Sequence, residues 1–108
     1  MAIVHLDGAR ISDWMSFHDA CQAAFGFPDF YGRNMNAWVD CLSYLRDDEG
    51  MSKFRLMPNE MLEIEIINSA ALRSRAPEII EEMEFCIAAI NDRYEDYGEK
   101  PALALNLR

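Results

Sequence analysis

Phe25-Gly26-Phe27-Pro28-Asp29-Phe30-Tyr31-Gly32-Arg33-Asn34-Met35-Asn36-Ala37-Trp38-Val39-Asp40-Cys41-Leu42 joins a loop to the start of a helix. The rest of the chain is placed around it. Gly26, Pro28 and Gly32 punctuate the first half, where neither helix nor strand runs easily. Phe27, Phe30 and Tyr31 crowd three rings into the same loop. Asn34 then offers an N-cap, its side-chain oxygen able to accept from an orphan backbone N–H of the first turn. From Met35 the pattern is helical: Met35, Trp38, Val39, Leu42 and Leu45 recur at steps of three and four as one apolar stripe. Asn36, Asp40 and Ser43 repeat at the same steps on another face. A ring-bearing loop running into a helix that turns Asn36 and Asp40 outward is a compact docking surface. The plainer reading makes the rings core and the polar face merely hydrated.

Upstream, residues 2–6 read as a short strand, β-branched in its middle and closed by a turn at Asp7-Gly8. Its near-continuous apolar character predicts cover on both faces, as in a parallel sheet, with His5 packed and hydrogen-bonded inside. Ser12 is expected to cap a first helix with Asp13 in its first turn. Trp14, Phe17, His18, Cys21, Ala24 and Phe25 line one side of that helix, and Gly26 ends it. The second helix is predicted over 35–45, followed by a charged stop at 46–50. Residues 51–59 then form a mixed connector with a helical turn near 52–54.

Downstream, residues 61–67 alternate apolar with Glu, which predicts a strand with one solvated face or a place at a sheet edge. Asn68-Ser69 breaks it, and residues 70–73 form a short helix or turn. A long helix follows, with Ser74 near its start and Pro77 where a missing N–H does no harm. Its buried stripe is Ile79, Ile80, Met83, Cys86, Ile87, Ile90 and Tyr94, while Glu78, Glu81, Glu82 and Glu84 make a solvated acidic face. Gly98 and Pro101 frame the last turn before a strand at 102–107. The order is strand, helix, helix, strand, helix, strand. Helices between strands demand crossovers, so the expectation is an α/β fold with three parallel strands and right-handed connections.

At 108 residues the chain is one domain's worth, 1–108, and 51% hydrophobic content suits a globular fold. The net charge of −9 disfavours a nucleic-acid or anionic membrane surface, since phosphate binding needs clustered Lys and Arg. It suits rapid encounter with a basic partner. Cys21, Cys41 and Cys86 are odd in number and embedded in apolar patterns, which favours reduced, buried thiols in a cytoplasmic protein. No leader opens the chain and no apolar run reaches the length of a membrane span. His5 and His18 lack zinc-type spacing, and no phosphate-cradling glycine loop or nucleophile elbow occurs. Cys41 beside Asp40, with no His in sequence reach, reads as a structural thiol. The expectation is a non-enzymatic protein without cofactor or metal.

Pro28, Asp29, Phe30-Tyr31, Gly32, Asn34, Ala37 and Asp40-Cys41-Leu42 together resemble the barstar family of intracellular ribonuclease inhibitors. A Pro-acid-aromatic-Tyr-Gly-x-Asn lead into a helix ending Asp-Cys-Leu is a specific pattern. The resemblance implies a strand, a turn and one helix before the binding loop, and the same parallel three-stranded fold. It implies that the loop and second helix plug a ribonuclease active site, with Asp40 standing in for a substrate phosphate. Phe30 would lie on the enzyme's histidine, and Gly32 and Asn34 would supply backbone and amide contacts. The partner-binding set expected on this basis is Phe30, Tyr31, Gly32, Asn34, Asn36, Val39, Asp40 and Ser43. Three positions depart from the family: Asn36 replaces an aspartate, Val39 replaces an exposed tryptophan, and Phe30 lacks a tyrosine hydroxyl. The connector at 46–60 is also longer than its counterpart and reads as a surface insertion. The implied partner is a basic protein, a ribonuclease of extracellular type or a toxin. The alternative is an interaction module of the same fold that binds another basic protein or itself.

Overall fold

The computed structural model describes residues 2–46 and 50–108. Three strands, β1 (Ala2–Asp7), β2 (Leu62–Ile67) and β3 (Leu103–Leu107), form one parallel sheet in the order β1-β2-β3. Parallel neighbours cannot be joined by a hairpin, so each link carries helices. The first holds a single 3₁₀ turn (Gly8–Arg10), then α1 (Trp14–Phe25) and α2 (Met35–Leu42). The second holds α3 (Ser69–Arg75) and α4 (Pro77–Asp96). The element order is the one that periodicity predicts, with the ambiguous segment at 70–73 belonging to α3. No helix among the described residues is long and apolar enough to cross a membrane.

Register explains how the sheet is divided. Val4 pairs with Ile64 and Ile64 with Leu105, and these side chains share the core face with Leu6, Leu62, Ile66 and Leu103. His5 pairs with Glu65 and Glu65 with Asn106, and they share the opposite face, which is open to water. The expected two-sided cover of β1 is therefore wrong: Ile3 and His5 are exposed. His5 is hydrogen-bonded, to Glu65 Oε1 at 3.1 Å, but it is not packed. The Glu alternation in β2 marks this wet face, not an edge, since β2 is the central strand.

Local competition moves several boundaries. Asp13, not Ser12, caps α1: its carboxylate accepts from the Ser16 amide at 2.8 Å, and Ser16 Oγ accepts from the Asp13 amide at 3.1 Å. Helix α2 stops at Leu42, one turn early. Ser43 Oγ donates to the Val39 carbonyl at 2.6 Å, and the Leu45 amide leaves the helical ladder for the Tyr94 hydroxyl at 3.1 Å. Of the charged stop at 46–50, residues 47–49 lie outside the described residues. Arg46 is not a surface charge. Its guanidinium donates to the carbonyls of Lys100 (2.8 Å), Glu60 (2.9 Å) and Pro101 (3.3 Å) and lies over the Tyr94 ring.

No helical turn forms at 52–54, because the backbone and side-chain bonds there run outward. The Lys53 amide and Ser52 Oγ both donate to the Phe25 carbonyl, at 2.8 and 2.6 Å, and the Leu56 amide donates to Leu45 at 2.7 Å. With Leu56 buried, the connector is part of the packed structure rather than a loose insertion. In α4 every residue of the expected stripe is buried, and Pro77 sits at its start.

Candidate functional site

The loop that leads into α2 begins where α1 ends. Gly26 takes the left-handed conformation, φ 69°, and its amide closes on Gln22. A Cβ there would stand 2.8 Å from Lys53 Cβ, so glycine serves both the cap and the close approach of the connector. Phe27 then turns inward to stack on Phe25, with centroids 5.1 Å apart. Tyr31 packs against Phe27 at 4.7 Å. Besides the Phe27 amide, which donates to the Gln22 carbonyl at 3.2 Å, side chains bind the loop back to α1: Gln22 Nε2 to the Pro28 carbonyl at 3.1 Å, Tyr31 hydroxyl to His18 Nδ1 at 2.6 Å, and Arg33 to both Gln22 Oε1 and Asp19. With two rings drawn in, the third is pushed out: Phe30 is 78% exposed.

Arg33 adopts a positive φ of 53°, a strained choice for a residue with a side chain, and this aims the chain into α2. Asn34 caps the helix as expected, Oδ1 accepting from the Ala37 amide at 2.8 Å while Nδ2 donates to the Gly32 carbonyl at 3.2 Å. Trp38, Cys41 and Leu42 lock α2 into the core. That packing leaves Asn36 and Asp40 exposed, with Met35 and Val39 half-buried beside them.

The eight expected contact residues thus fall into different situations. Phe30, Gly32, Asn36 and Asp40 are exposed, and Val39 is half-buried at the rim. Asn34 is exposed, but its amide serves its own backbone. Ser43 is half-buried and engaged both with Val39 and with Arg93 Nη1, at 3.1 Å. Tyr31 differs from the rest: its side chain is buried and its hydroxyl is engaged with His18, although it contributes to the wall of the depression between Phe30 and Asp40.

Two depressions flank Asp40. A small one of about 140 Å³ lies between Phe30 and Asp40, with Met51 of the connector in its wall. A larger one of about 410 Å³ separates α2 from α4 and is lined by Asn36, Val39 and Asp40 on one side and by Glu82, Phe85 and Arg93 on the other. Glu82, Phe85 and Met51 are lining residues of these depressions that sequence reasoning missed. Phe85 carried a usable signal, since a phenylalanine standing off the buried stripe of α4 has no core to join, and it is 72% exposed. Met51 carried none.

The Asp40 carboxylate has no hydrogen bond or ion pair with another described residue. Its charge is felt by Cys41, whose thiol is pushed up in pKa first by burial and then by Asp40. Burial lifts Cys21 to about 12 and, with Glu82 adding to it, Cys86 to about 11. All three thiols are unpaired, buried and held protonated. His18 lines neither depression that Asp40 borders. No three His, Cys, Asp or Glu side chains among the described residues come together as a metal site would require. What this surface offers is shape and charge: an outward carboxylate between an exposed ring on the loop and an exposed ring on α4.

A sequence model of the family described as Barstar (barnase inhibitor) matches residues 1–106 of the chain. No curated protein sequence matches it.

Proposed function

The chain belongs to the barstar family, and from that premise we propose that it is an intracellular inhibitor of a microbial ribonuclease, a single domain spanning 1–108. It docks through the loop and α2, with Asp40 entering the enzyme's phosphate site. The observation that carries this reading is the state of Asp40, exposed, without a hydrogen bond or ion pair to another described residue, and set beside the exposed Phe30 ring. A carboxylate desolvated among fixed arginines makes charge-assisted hydrogen bonds, which are stronger than neutral ones. Removing it strands those cations, so the energy resides in a small number of groups. The net charge of −9 favours encounter with a basic enzyme and disfavours a nucleic-acid or anionic membrane partner. No cofactor takes part. Three unpaired, buried thiols suit a reducing cytoplasm.

The direct test is inhibition of barnase and a panel of other microbial ribonucleases by the wild type and by Asp40→Ala. Inhibition by the wild type and its collapse in Asp40→Ala are expected. Equal inhibition by both would remove the phosphate-mimic role. A second reading, an interaction module for another basic protein or for a second copy, is favoured by the apolar side of the α2–α4 groove, where Val39 faces Phe85 and Asn36 carries no charge. Absence of inhibition across the panel, with a non-nuclease protein recovered from the native cytosol, selects it.

A further inference from the structure

His18 is 4% exposed, yet it is a titratable group joining α1 to the docking loop. Its ring is stacked on Trp14 with centroids 5.9 Å apart and meets the edge of Phe17 at 5.1 Å. The Tyr31 hydroxyl lies 2.6 Å from Nδ1 and has no other hydrogen-bond partner among the described residues. With the phenol donating to Nδ1, the ring is the neutral tautomer that carries its proton on Nε2. Tyr31 stands between Phe30 and Gly32, two exposed members of the docking face. The loop's other side-chain ties to α1 run through exposed or half-buried side chains, Gln22, Arg33 and Asp19.

We infer that His18 is the positioning residue of the docking loop: it holds Tyr31 only while the Nδ1 lone pair is free, so acidification loosens the loop and weakens partner binding.

Protonation at Nδ1 makes that nitrogen a donor. The Tyr31 oxygen must then accept, and its own proton needs a new acceptor. The groups facing the pair are the Cys21 thiol on α1, the Cys41 thiol on α2, the Arg33 guanidinium in the loop and the Asp19 carboxylate. Thiols are weak acceptors and a guanidinium accepts nothing, while Asp19 is already paired with Arg33. Burial first, and then Arg33, hold His18 below its ordinary value of 6.5, with Asp19 opposing. The protonated state is accordingly reached by releasing the ring from Tyr31. If only the neutral form holds a competent loop, apparent affinity falls about tenfold one pH unit below the midpoint.

The consequence for binding rests on the docking reading above, whereas the coupling of His18 to the loop does not, so the coupling is tested first on the full chain alone. Histidine-ring and backbone-amide NMR are followed from pH 8 to pH 4.5. The amides of residues 29–33 are expected to shift with the His18 midpoint, below 6.5. Loop amides that stay fixed while the ring titrates, or a ring that never titrates before global unfolding, overturn the inference. His18→Asn places an acceptor near Nδ1 without a proton to titrate, and its loop is expected to lose the pH response. A loop that still follows pH in this variant also overturns it. Tyr31→Phe supplies the second arm: it should raise the His18 midpoint and uncouple the loop, and an unmoved midpoint counts against the proposal. With an inhibited ribonuclease in hand, the ratio of wild-type to His18→Asn affinity across pH separates this effect from the enzyme's own titration.

Discussion

Asp40 and Phe85 are surface residues whose loss should be felt by a partner and not by the fold. Asp40 is exposed and has no bond to another described residue, so Asp40→Ala should leave unfolding by urea within about 0.5 kcal/mol of wild type. Its inhibition constant should rise on the order of a hundredfold, because partner cations are left buried without their anion. A parallel loss of stability would mean that the carboxylate has a structural role. Phe85, at 72% exposure, resembles an aromatic anchor on the far wall of the groove. Phe85→Ala should cost binding at least about 1 kcal/mol, roughly fivefold, in the same inhibition assay. Unchanged binding would confine the docking face to the loop and α2.

At the scale of elements, α2 depends on its entry and its exit. Asn34→Ala removes the acceptor of the Ala37 amide and the donor to Gly32, and should lower stability by about 1 kcal/mol. Chemical denaturation checks this, and an unchanged midpoint would show that water replaces the cap. Beyond the helix, Arg46 draws together the carbonyls of Glu60, Lys100 and Pro101, which fixes the connector to the turn before β3. Its side chain is 5% exposed, so Arg46→Met keeps the stem but orphans acceptors in a poorly hydrated place. A loss of roughly 2 kcal/mol or more is expected by the same measurement.

Across the whole molecule, the shifted groups bound the pH range of stability. Asp7, held low by Asn68 and the Ala9 amide, and Asp13, held low by Ser16, stabilise the fold above their ordinary value of 3.8 and cease to do so as pH falls below it. The neutral form of His18 is favoured in the fold, so its contribution is complete above 6.5 and is lost as pH falls through the lower folded value. Burial raises Cys21 to about 12 from 9.0, so its stabilising effect is full below 9.0 and is lost progressively toward 12. Unfolding by urea from pH 4 to pH 11 should therefore show a plateau between about 6.5 and 9, declining on both sides. A profile still rising from pH 7 to pH 9 would contradict the assignment of His18 and the thiols.

What the chain's order of residues determined by itself is the element sequence, the Asn34 cap, the glycine end of α1, the buried stripe of α4 and the family, because caps and periodic stripes are local and each is spelled within a few residues. Only the tertiary structure decided which ring of Phe27, Phe30 and Tyr31 faces out, since that rests on Phe25 and His18 across the turn from α1. It also decided that one sheet face is wet, that Arg46 is an internal tie, and that Glu82 and Phe85 stand opposite Asp40. The physical reason is range. The bonds from Leu45 to Tyr94 and from Arg46 to Pro101 join residues 49 and 55 positions apart, and no local pattern encodes which distant partner will be met.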